Sequence, residues 1–335
     1  MKQNNKEVEK HLLSVKDLVV EYTSDGEVIH AVNGVSFDLD KGKTIGLVGE
    51  TGAGKTTIAK AILRILPDNS VKICSGEVYI DDEDILKKSE KDMRNVRGNL
   101  VSMIFQDPMT ALNPTMRIGN QISEVIKVHK NISEREAEKQ AIEILKMVGI
   151  PEDRFREYPH QFSGGMKQRV VIAIALACEP RILLADEPTT ALDVTIQAQV
   201  LELIKELKIK NETAMILITH DLSVVAETCD DVAIVYAGQI MEYGNKFDIF
   251  DHPTHPYTIG LFGAVPDLNK DEEWLHPIDG MLPDPTSLPE GCPFQPRCPK
   301  VIDECKKMIK YIKTEDGHYC RCCNIEGQVD RDGIA

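Results

Sequence analysis

The feature that most constrains the fold is a glycine-rich segment at residues 49–56, with the sequence GETGAGKT. It directly follows the short apolar run IGLV and precedes a stretch with helical spacing. A strand that leads into such a loop and then into a helix is the context that a phosphate-binding loop requires. The sequence therefore predicts a nucleotide-binding site at this turn.

Each residue type in this loop has a physical role. The glycines allow backbone N–H groups to crowd around phosphates, and the following helix N-terminus adds favourable partial charge. We expect Lys55 to reach the terminal phosphates and the Thr56 hydroxyl to bind Mg²⁺. The predicted nucleotide-binding residues of this loop are Gly49, Gly52, Gly54, Lys55, Thr56 and Thr57.

A second apolar run, ILLA, ends in the adjacent carboxylates Asp186 and Glu187. We expect Asp186 to hold Mg²⁺ through water and Glu187 to orient and polarise the attacking water. Phosphoryl transfer depends mostly on positioning and charge neutralisation, and this pair supplies both beside the loop. Many strands end in acidic residues, so the prediction depends on the preceding phosphate loop.

Apolar runs and helical stretches alternate along much of the chain, which indicates an α/β fold with a parallel sheet covered on both faces. Residues 11–47 alternate apolar and polar positions and predict strands with a turn. Residues 118–148 have helical spacing and predict a mostly helical insertion. After about residue 265, prolines and cysteines dominate and predict a loop-rich appendage with little core of its own.

Composition excludes several functional classes. The 335-residue chain has a net charge of −15, so it lacks the excess of Lys and Arg that DNA or RNA phosphates require, and we expect no nucleic-acid partner. Its longest apolar run has nine residues, about half of a spanning helix. The N-terminus lacks the apolar stretch of a signal peptide. We expect a cytoplasmic protein that reaches the membrane only through partners.

Residues 162–169, with the sequence FSGGMKQR, resemble the signature motif of the ABC ATPase superfamily. Ser163, Gly164 and Gly165 stand at a predicted helix start that suits a γ-phosphate. The resemblance implies that this motif faces the nucleotide of a second ATPase subunit in a head-to-tail dimer. It also implies an ABC-type P-loop ATPase with a RecA-like parallel-sheet core, an antiparallel β subdomain and a helical subdomain at about 107–170.

The remaining motifs of the superfamily occur in the expected order. Gln106 matches the loop that senses Mg²⁺ and the transmembrane partner, so it joins Thr56 and Asp186 as a predicted Mg²⁺ residue. Asp193 matches the loop that communicates across the dimer, and His220 matches the switch histidine that contacts the γ-phosphate. Tyr22 is where the superfamily places an aromatic ring against adenine. The resemblance implies catalytic roles for Glu187, His220, Gln106 and Lys55.

Two segments resemble a subgroup, the ATP-binding subunits of dipeptide, oligopeptide and nickel importers. They are residues 107–114, with the sequence DPMTALNP, and residues 255–258, with the sequence HPYT. The resemblance implies uptake of di- or oligopeptides through two transmembrane permease subunits, with an extracellular substrate-binding protein and a similar second ATPase subunit. A homodimer, a nickel importer and a soluble ABC ATPase of DNA repair or translation remain alternatives.

Six of the nine cysteines lie within 32 residues near the C-terminus. In a reducing compartment such a cluster favours a metal site over disulfides. The spacings are wider than the tight pairs of structural zinc sites. The region is similar to the C-terminal region of peptide-importer ATPases, where four cysteines hold an iron–sulfur cluster. That resemblance implies a [4Fe–4S] site in a domain at 266–335, with ligands Cys292, Cys298, Cys305 and Cys322.

Several points about this appendage stay open. Cys320 and Cys323 are alternatives to Cys322 as the fourth ligand. Zinc is the lesser alternative to the cluster, and unligated thiols are a third possibility. The predicted ATPase domain spans residues 11–265. The resemblance places the whole assembly at the cytoplasmic face of the cell membrane.

Overall fold

The computed structural model describes residues 11–67, 69–189, 193–264, 278–307, 309–314 and 318–325. Within these ranges the chain forms two sheets and a group of helices around them. Among the described residues, no helix has both the length and the apolar character needed to cross a bilayer.

Within the described ranges the larger sheet contains five parallel strands, among them the apolar runs that precede the phosphate loop and the paired carboxylates. The five strands are β3 (Thr44–Val48), β6 (Val101–Ile104), β7 (Ile182–Asp186), β8 (Ala214–Ile218) and β9 (Asp231–Tyr236). Neighbouring members run parallel in the order β9, β3, β8, β7, β6. Every residue of β3, β7 and β8 is buried, as expected for strands covered on both faces.

The predicted parallel sheet is in fact mixed, because three strands extend one edge in antiparallel fashion. β9 turns into β10 (Gln239–Asn245), which pairs with β12 (Tyr319–Cys320), and β12 pairs with β11 (Ile312–Lys313). The turn uses Ala237 and Gly238, both with positive φ, as in a type I′ hairpin. Alanine is uncommon at such a position, so the sequence does not predict this hairpin.

The smaller sheet is antiparallel, in agreement with the alternating pattern of residues 11–47. It contains β1 (Leu13–Ser24), β2 (Glu27–Leu39), β4 (Val71–Ile80) and β5 (Glu83–Asp84), in the order β2, β1, β4, β5. The inward side chains of these strands pack with α1 (Lys55–Leu63) and one face of the larger sheet. This core fixes the start of α1 beneath the antiparallel sheet.

The predicted insertion is helical and forms part of a second core on the opposite face of the larger sheet. The predicted insertion at 118–148 contains α4 (Ile118–Lys130) and α5 (Glu134–Met147), and it is flanked by α3 (Pro108–Ala111) and α6 (Gly164–Leu176). The remaining helices are α2 (Glu90–Val96), α7 (Val194–Asn211), α8 (Leu222–Thr228), α9 (Lys246–Asp251) and α10 (Pro256–Gly263).

The cysteine-rich segment lies against the ATPase sheet. Its strand β12 extends β10, and Cys292, Phe294 and Cys305 belong to the same core as the helical insertion. Earlier in this segment, the carbonyl of Pro285 accepts a hydrogen bond from the backbone N–H of His30 in the antiparallel sheet. The segment therefore shares its core with the larger sheet, whereas its predicted status as a separate domain at 266–335 stays a prediction.

Candidate nucleotide site

The glycine-rich loop follows β3 and precedes α1, and two of its glycines are required by close backbone approach. A Cβ atom on Gly49 would lie 2.0 Å from the carbonyl oxygen of Val235, and one on Gly54 would lie 2.3 Å from that of Ala31. Gly54 also has φ of 98°, a left-handed conformation that favours glycine. Neighbouring strands therefore press directly on the loop backbone and fix its path.

Helix α1 begins without a side-chain cap on its first N–H groups and without an acidic residue in its first turn. Uncapped N–H groups at a helix start attract anions, because they point along the helix axis and carry partial positive charge. The helix start is therefore suited to phosphate, as its sequence predicts.

Lys55 lies at this helix start with its side chain folded over the loop. Its Nζ donates hydrogen bonds to the carbonyl oxygens of Gly49 and Glu50, at 2.7 and 2.9 Å. Burial lowers the pKa of Lys55, and the nearby carboxylates of Glu187, Asp186 and Glu50 partly offset this effect. The ammonium group therefore lies within the electrostatic field of the acidic residues that end β7.

The Thr56 hydroxyl and the Asp186 carboxylate meet across the gap between α1 and β7. Thr56 Oγ1 donates to Asp186 Oδ1 at 2.9 Å. Burial raises the pKa of Asp186, an effect that the Thr56 hydrogen bond opposes and the neighbouring Glu187 reinforces. A hydroxyl and a carboxylate are hard oxygen donors of the kind that Mg²⁺ prefers, so this pair fits that ion.

Glu187 lies beside two other predicted catalytic residues, Gln106 and His220. Gln106 Nε2 donates to Glu187 Oε2 at 2.8 Å, and His220 Nδ1 lies 3.5 Å from Glu187 Oε1. Glu187 has φ of 45°, and its N–H donates to the carbonyl of Ile218 in β8. A non-glycine residue in this conformation at a strand end is unusual, and such positions concentrate at functional sites.

Tyr22 reaches the same region from β1. Its hydroxyl lies 3.1 Å from Thr57 Oγ1 in the first turn of α1, within hydrogen-bond distance. The aromatic ring therefore stands beside the phosphate loop, on the side of the antiparallel sheet. This placement is compatible with the predicted contact with adenine, which stays a prediction.

The signature residues lie apart from this group. Ser163 caps α6 by accepting a hydrogen bond from the N–H of Met166, and Gly165 lies close to Ile196 of α7. Asp193 caps α7 in the same way through the N–H of Ile196. Within the ranges that the structure describes, no hydrogen bond joins these residues to the phosphate loop. Their predicted role in the site of a second subunit is consistent with this separation.

Two residues outside the recognised nucleotide motifs contact Glu50 of the loop, and a third contacts one of them. The N–H of Glu50 donates to the hydroxyl of Tyr257, which belongs to the HPYT segment, at 3.0 Å. The carboxylate of Glu50 accepts two hydrogen bonds from Arg297 of the cysteine-rich segment, at 2.8 and 3.1 Å. Tyr236 in β9 contacts Arg297 through its hydroxyl. The sequence pattern gave no signal for these contacts, because the partners are far apart in the chain.

The cysteine side chains of the appendage lie in one neighbourhood. The thiols of Cys298, Cys305 and Cys322 all contribute to the raised pKa of Cys292, which burial brings to about 11. Cys305 Sγ lies 3.5 Å from Cys323 Sγ. Cys320 is fully buried within β12. Among the described residues, however, no three ligand side chains are arranged to hold a single metal ion.

Comparison with known families gives two matches that together span most of the described chain. The profile described as "ABC transporter" matches residues 32–190. The profile described as "Oligopeptide/dipeptide transporter, C-terminal region" matches residues 241–305. The second match contains both Tyr257 and Arg297.

Individual relatives are similar over nearly their whole length. The dipeptide transport ATP-binding protein DppD of Bacillus subtilis is 52% identical over 315 residues, which cover 93% of this chain and 94% of that protein. The oligopeptide transport ATP-binding protein OppD of Escherichia coli is 50% identical, with 93% and 92% coverage. A solved ATP-binding cassette, MJ0796, in a dimeric post-hydrolysis state with ADP and phosphate, superposes with a TM-score of 0.62 at 28% identity. That match covers 70% of this chain and 98% of the cassette.

Proposed function

Because this chain belongs to the family of ABC transporter ATP-binding subunits, we propose that it is the motor of a dipeptide or oligopeptide importer. Membership of that family makes it an ATPase. The observation that carries the proposal is the similarity to DppD, which is 52% identical over 94% of that protein. The match of residues 241–305 to the peptide-transporter C-terminal region supports the same cargo class.

The geometry supports a division of roles within one subunit. The loop N–H groups and Lys55 bind the β- and γ-phosphates of ATP, and Tyr22 lies where it can contact adenine. Thr56, Asp186 and Gln106 would hold Mg²⁺, which supplies charge neutralisation at the phosphates. Glu187 orients and polarises the attacking water. His220, 3.5 Å from Glu187, contacts the γ-phosphate from the end of β8.

The active unit proposed here is a dimer of ATPase subunits. In each subunit, the uncapped start of α1 binds that subunit's own nucleotide. The start of α6, at Ser163 and Gly164, contacts the nucleotide of the other subunit and completes its site. Gly164 has open space where a Cβ would stand, so the approach to this helix start is unobstructed among the described residues. The dimeric form of the similar cassette with ADP and phosphate supports this arrangement. Closure on ATP and reopening after hydrolysis then drive the transport cycle.

The proposed assembly includes two permease subunits, a substrate-binding protein outside the membrane and a second, similar ATPase subunit. We place the permease contact near Gln106 and the helical insertion. Phe105, the residue before Gln106, is 40% exposed, and Val128 on α4 is 71% exposed. Large apolar side chains that remain exposed mark surfaces suited to partners. This contact would hold the protein at the cytoplasmic membrane face.

Replacing the proposed catalytic carboxylate tests the ATPase assignment. Glu187→Gln removes the charge that polarises water but preserves size and the contact with Gln106. We expect phosphate release by the assembled transporter to fall at least about a hundredfold, as for loss of a general base, while ATP binding persists. Unchanged phosphate release would refute the assigned role.

Cargo is tested separately, in vesicles that contain the complete transporter. We expect dipeptides or short oligopeptides, presented by the binding protein, to stimulate ATP hydrolysis and to accumulate inside. Stimulation by Ni²⁺ but not by peptides would overturn the peptide proposal in favour of the nickel importer. That result would leave the ATPase assignment intact.

We further propose that Cys292, Cys298, Cys305 and Cys322 hold a [4Fe–4S] cluster. The donor set fits the group in chemistry, since thiolates are the ligands of such clusters and three of the four thiols are buried, with the half-buried Cys298 in the same neighbourhood. Cys323 lies near Cys305 and is the alternative to Cys322 as fourth ligand. The cluster would act as a structural crosslink in a segment that has few strands.

Metal content distinguishes the alternatives. Protein purified without oxygen should contain about four irons and matching sulfide per chain, with visible absorption that Cys298→Ser abolishes. Stoichiometric zinc without iron would make the segment a zinc site. If the protein contains neither metal, the cysteines are unligated thiols. Either of these two results would refute the cluster.

A further inference from the structure

The cysteine-rich segment contacts the phosphate loop through one ion pair. Arg297 Nη1 and Nη2 donate to the two carboxylate oxygens of Glu50, at 2.8 and 3.1 Å. The Arg297 side chain is 6% exposed and that of Glu50 is 27% exposed. A two-point arginine–carboxylate contact fixes direction as well as distance. This pair joins residues 247 positions apart.

Aromatic packing holds Arg297 in place. Phe294, in the turn before Arg297, is buried; its ring is nearly perpendicular to that of Tyr236 and tilted by 55° to that of Tyr257, at centroid distances of 5.3 and 5.4 Å. Arg297 also donates to the Tyr236 hydroxyl and to the carbonyl of Ile278. The guanidinium group therefore cannot leave Glu50 without disturbing this packing.

The same aromatic group holds the backbone of Glu50. Tyr257, which contacts Phe294, accepts the Glu50 N–H at 3.0 Å. Glu50 is therefore fixed at two points, one on its N–H by the HPYT segment and one on its carboxylate by the cysteine-rich segment. Both contacts act within the loop that surrounds the phosphates.

The charge of Glu50 gives this contact a consequence for ATP. Its carboxylate interacts with Lys55, since Glu50 is among the groups that raise the pKa of that lysine. Lys55 Nζ also donates to the backbone carbonyl of Glu50 at 2.9 Å, so Glu50 lies beside the phosphate-binding lysine, and its carboxylate would repel a triphosphate unless a cation neutralised it. Arg297 is the cation that pairs with it.

We propose that Arg297 is a positioning residue of the ATP site. It neutralises Glu50 and aligns the phosphate loop, so the cysteine-rich segment is required for full ATP affinity. Arg297 acts through Glu50 and is not itself a catalytic residue. The proposal extends the family's ATPase activity and does not depend on which cargo is transported.

The test compares ATP affinity in four forms of the full chain within its transporter: wild type, Arg297→Met, Glu50→Gln and the double variant. Arg297→Met leaves Glu50 charged and unpaired, and we expect ATP to bind about tenfold more weakly. Glu50→Gln should bind ATP within about threefold of wild type, because it leaves no negative charge in the loop to repel the phosphates and its amide oxygen can still accept a hydrogen bond from Arg297. The double variant should recover most of the loss that Arg297→Met causes.

That recovery separates positioning from general damage. If Arg297 only stabilised the fold, adding Glu50→Gln would not restore affinity, so a double variant as weak as Arg297→Met overturns the proposal. Unchanged ATP affinity in Arg297→Met also overturns it. The loss should appear in KM for ATP more than in kcat, and it should shrink at high salt, because salt screens the repulsion.

Two further variants keep the result interpretable. Arg321→Met removes an arginine from the same segment, where it contacts Gln239 and the ring of Tyr311 and makes no contact with the phosphate loop. It should leave ATP affinity unchanged, and an equal loss would refute a specific role for Arg297. Arg297→Lys keeps the charge without the two-point contact and should give an intermediate affinity. Far-UV circular dichroism spectra that match wild type in all variants would show that the chain remains folded.

Discussion

A buried carboxylate, Glu242, provides the most direct test of how the C-terminal segment is attached. It lies in β10 with no exposed surface and accepts three hydrogen bonds. Its Oε1 receives the N–H of Thr254 and the Nε2 of His318, both at 2.7 Å, and its Oε2 receives the N–H of His255 at 3.0 Å. One carboxylate therefore joins the sheet, the HPYT segment and the strand β12 region.

Replacing Glu242 with glutamine gives a magnitude that follows from this geometry. The amide oxygen can retain the bonds from Thr254 and His318, but the amide nitrogen then faces the N–H of His255. One charge-assisted bond is lost and a buried donor is left without a partner, which costs about 2–4 kcal/mol of unfolding free energy. For a chain of 335 residues the melting temperature should fall by about 3–6 °C.

The assay is thermal unfolding by calorimetry, combined with hydrogen exchange of residues 318–325. We expect faster exchange there in Glu242→Gln, since β12 loses an anchor. The control is Glu212→Gln. Glu212 is exposed and pairs with Lys41 at the surface, so this substitution should not change the melting temperature measurably. A Glu242→Gln variant that melts within about 1 °C of wild type would show that this carboxylate is not a required anchor.

Three further predictions follow from buried contacts near the loop. Burial lowers the pKa of His255 to about 4. Between pH 6.5 and 4 the unfolded chain therefore binds a proton that the folded chain does not. The free energy of unfolding decreases as the pH falls through this window, by up to about 3 kcal/mol. His255→Asn keeps a cap for the N–H of Tyr257 but cannot titrate, so its melting temperature should decline less between pH 7 and 5; an identical decline would contradict this account. Gly54→Ala should abolish ATP binding, because its Cβ would meet the Ala31 carbonyl. Gly52→Ala strains a backbone with φ of 84° but its Cβ would meet no atom within 4 Å, so it should weaken binding less, as measured by calorimetric titration. Tyr257→Phe removes the acceptor of the Glu50 N–H and should weaken ATP binding several-fold without loss of fold, and equal affinity would show that this bond is dispensable.

Local sequence patterns were sufficient for the nucleotide-binding half of the molecule. The apolar runs that became β3, β7 and β8 are fully buried, and a strand that is apolar at every position can be recognised without knowing its neighbours. The spacing of glycines before Lys55 likewise identified the phosphate loop, because that pattern lies within one short stretch of chain. The structure also brings together Thr56 with Asp186, and Gln106 and His220 with Glu187, as the order of motifs predicts.

Sequence patterns were less informative about the C-terminal region. Prolines and cysteines predict loops, and the region is indeed poor in helix and strand among the residues described there. They do not predict that β12 would extend the larger sheet or that the sheet would become mixed. Strands of two residues carry too little periodicity to be recognised, and the Ala237–Gly238 turn lacks the usual residues of a tight hairpin.

Only the tertiary structure decided which charged residues, distant in the chain, pair with each other. Glu50 and Arg297 are 247 positions apart, and Glu242 and His318 are 76 positions apart. An ion pair has no sequence signal of its own, because each partner alone is an ordinary charged residue and pairing depends on how the chain folds back. The sequence by itself therefore determined the phosphate loop, the buried strands β3, β7 and β8, and the family. The fold determined that the cysteine-rich segment contacts that loop.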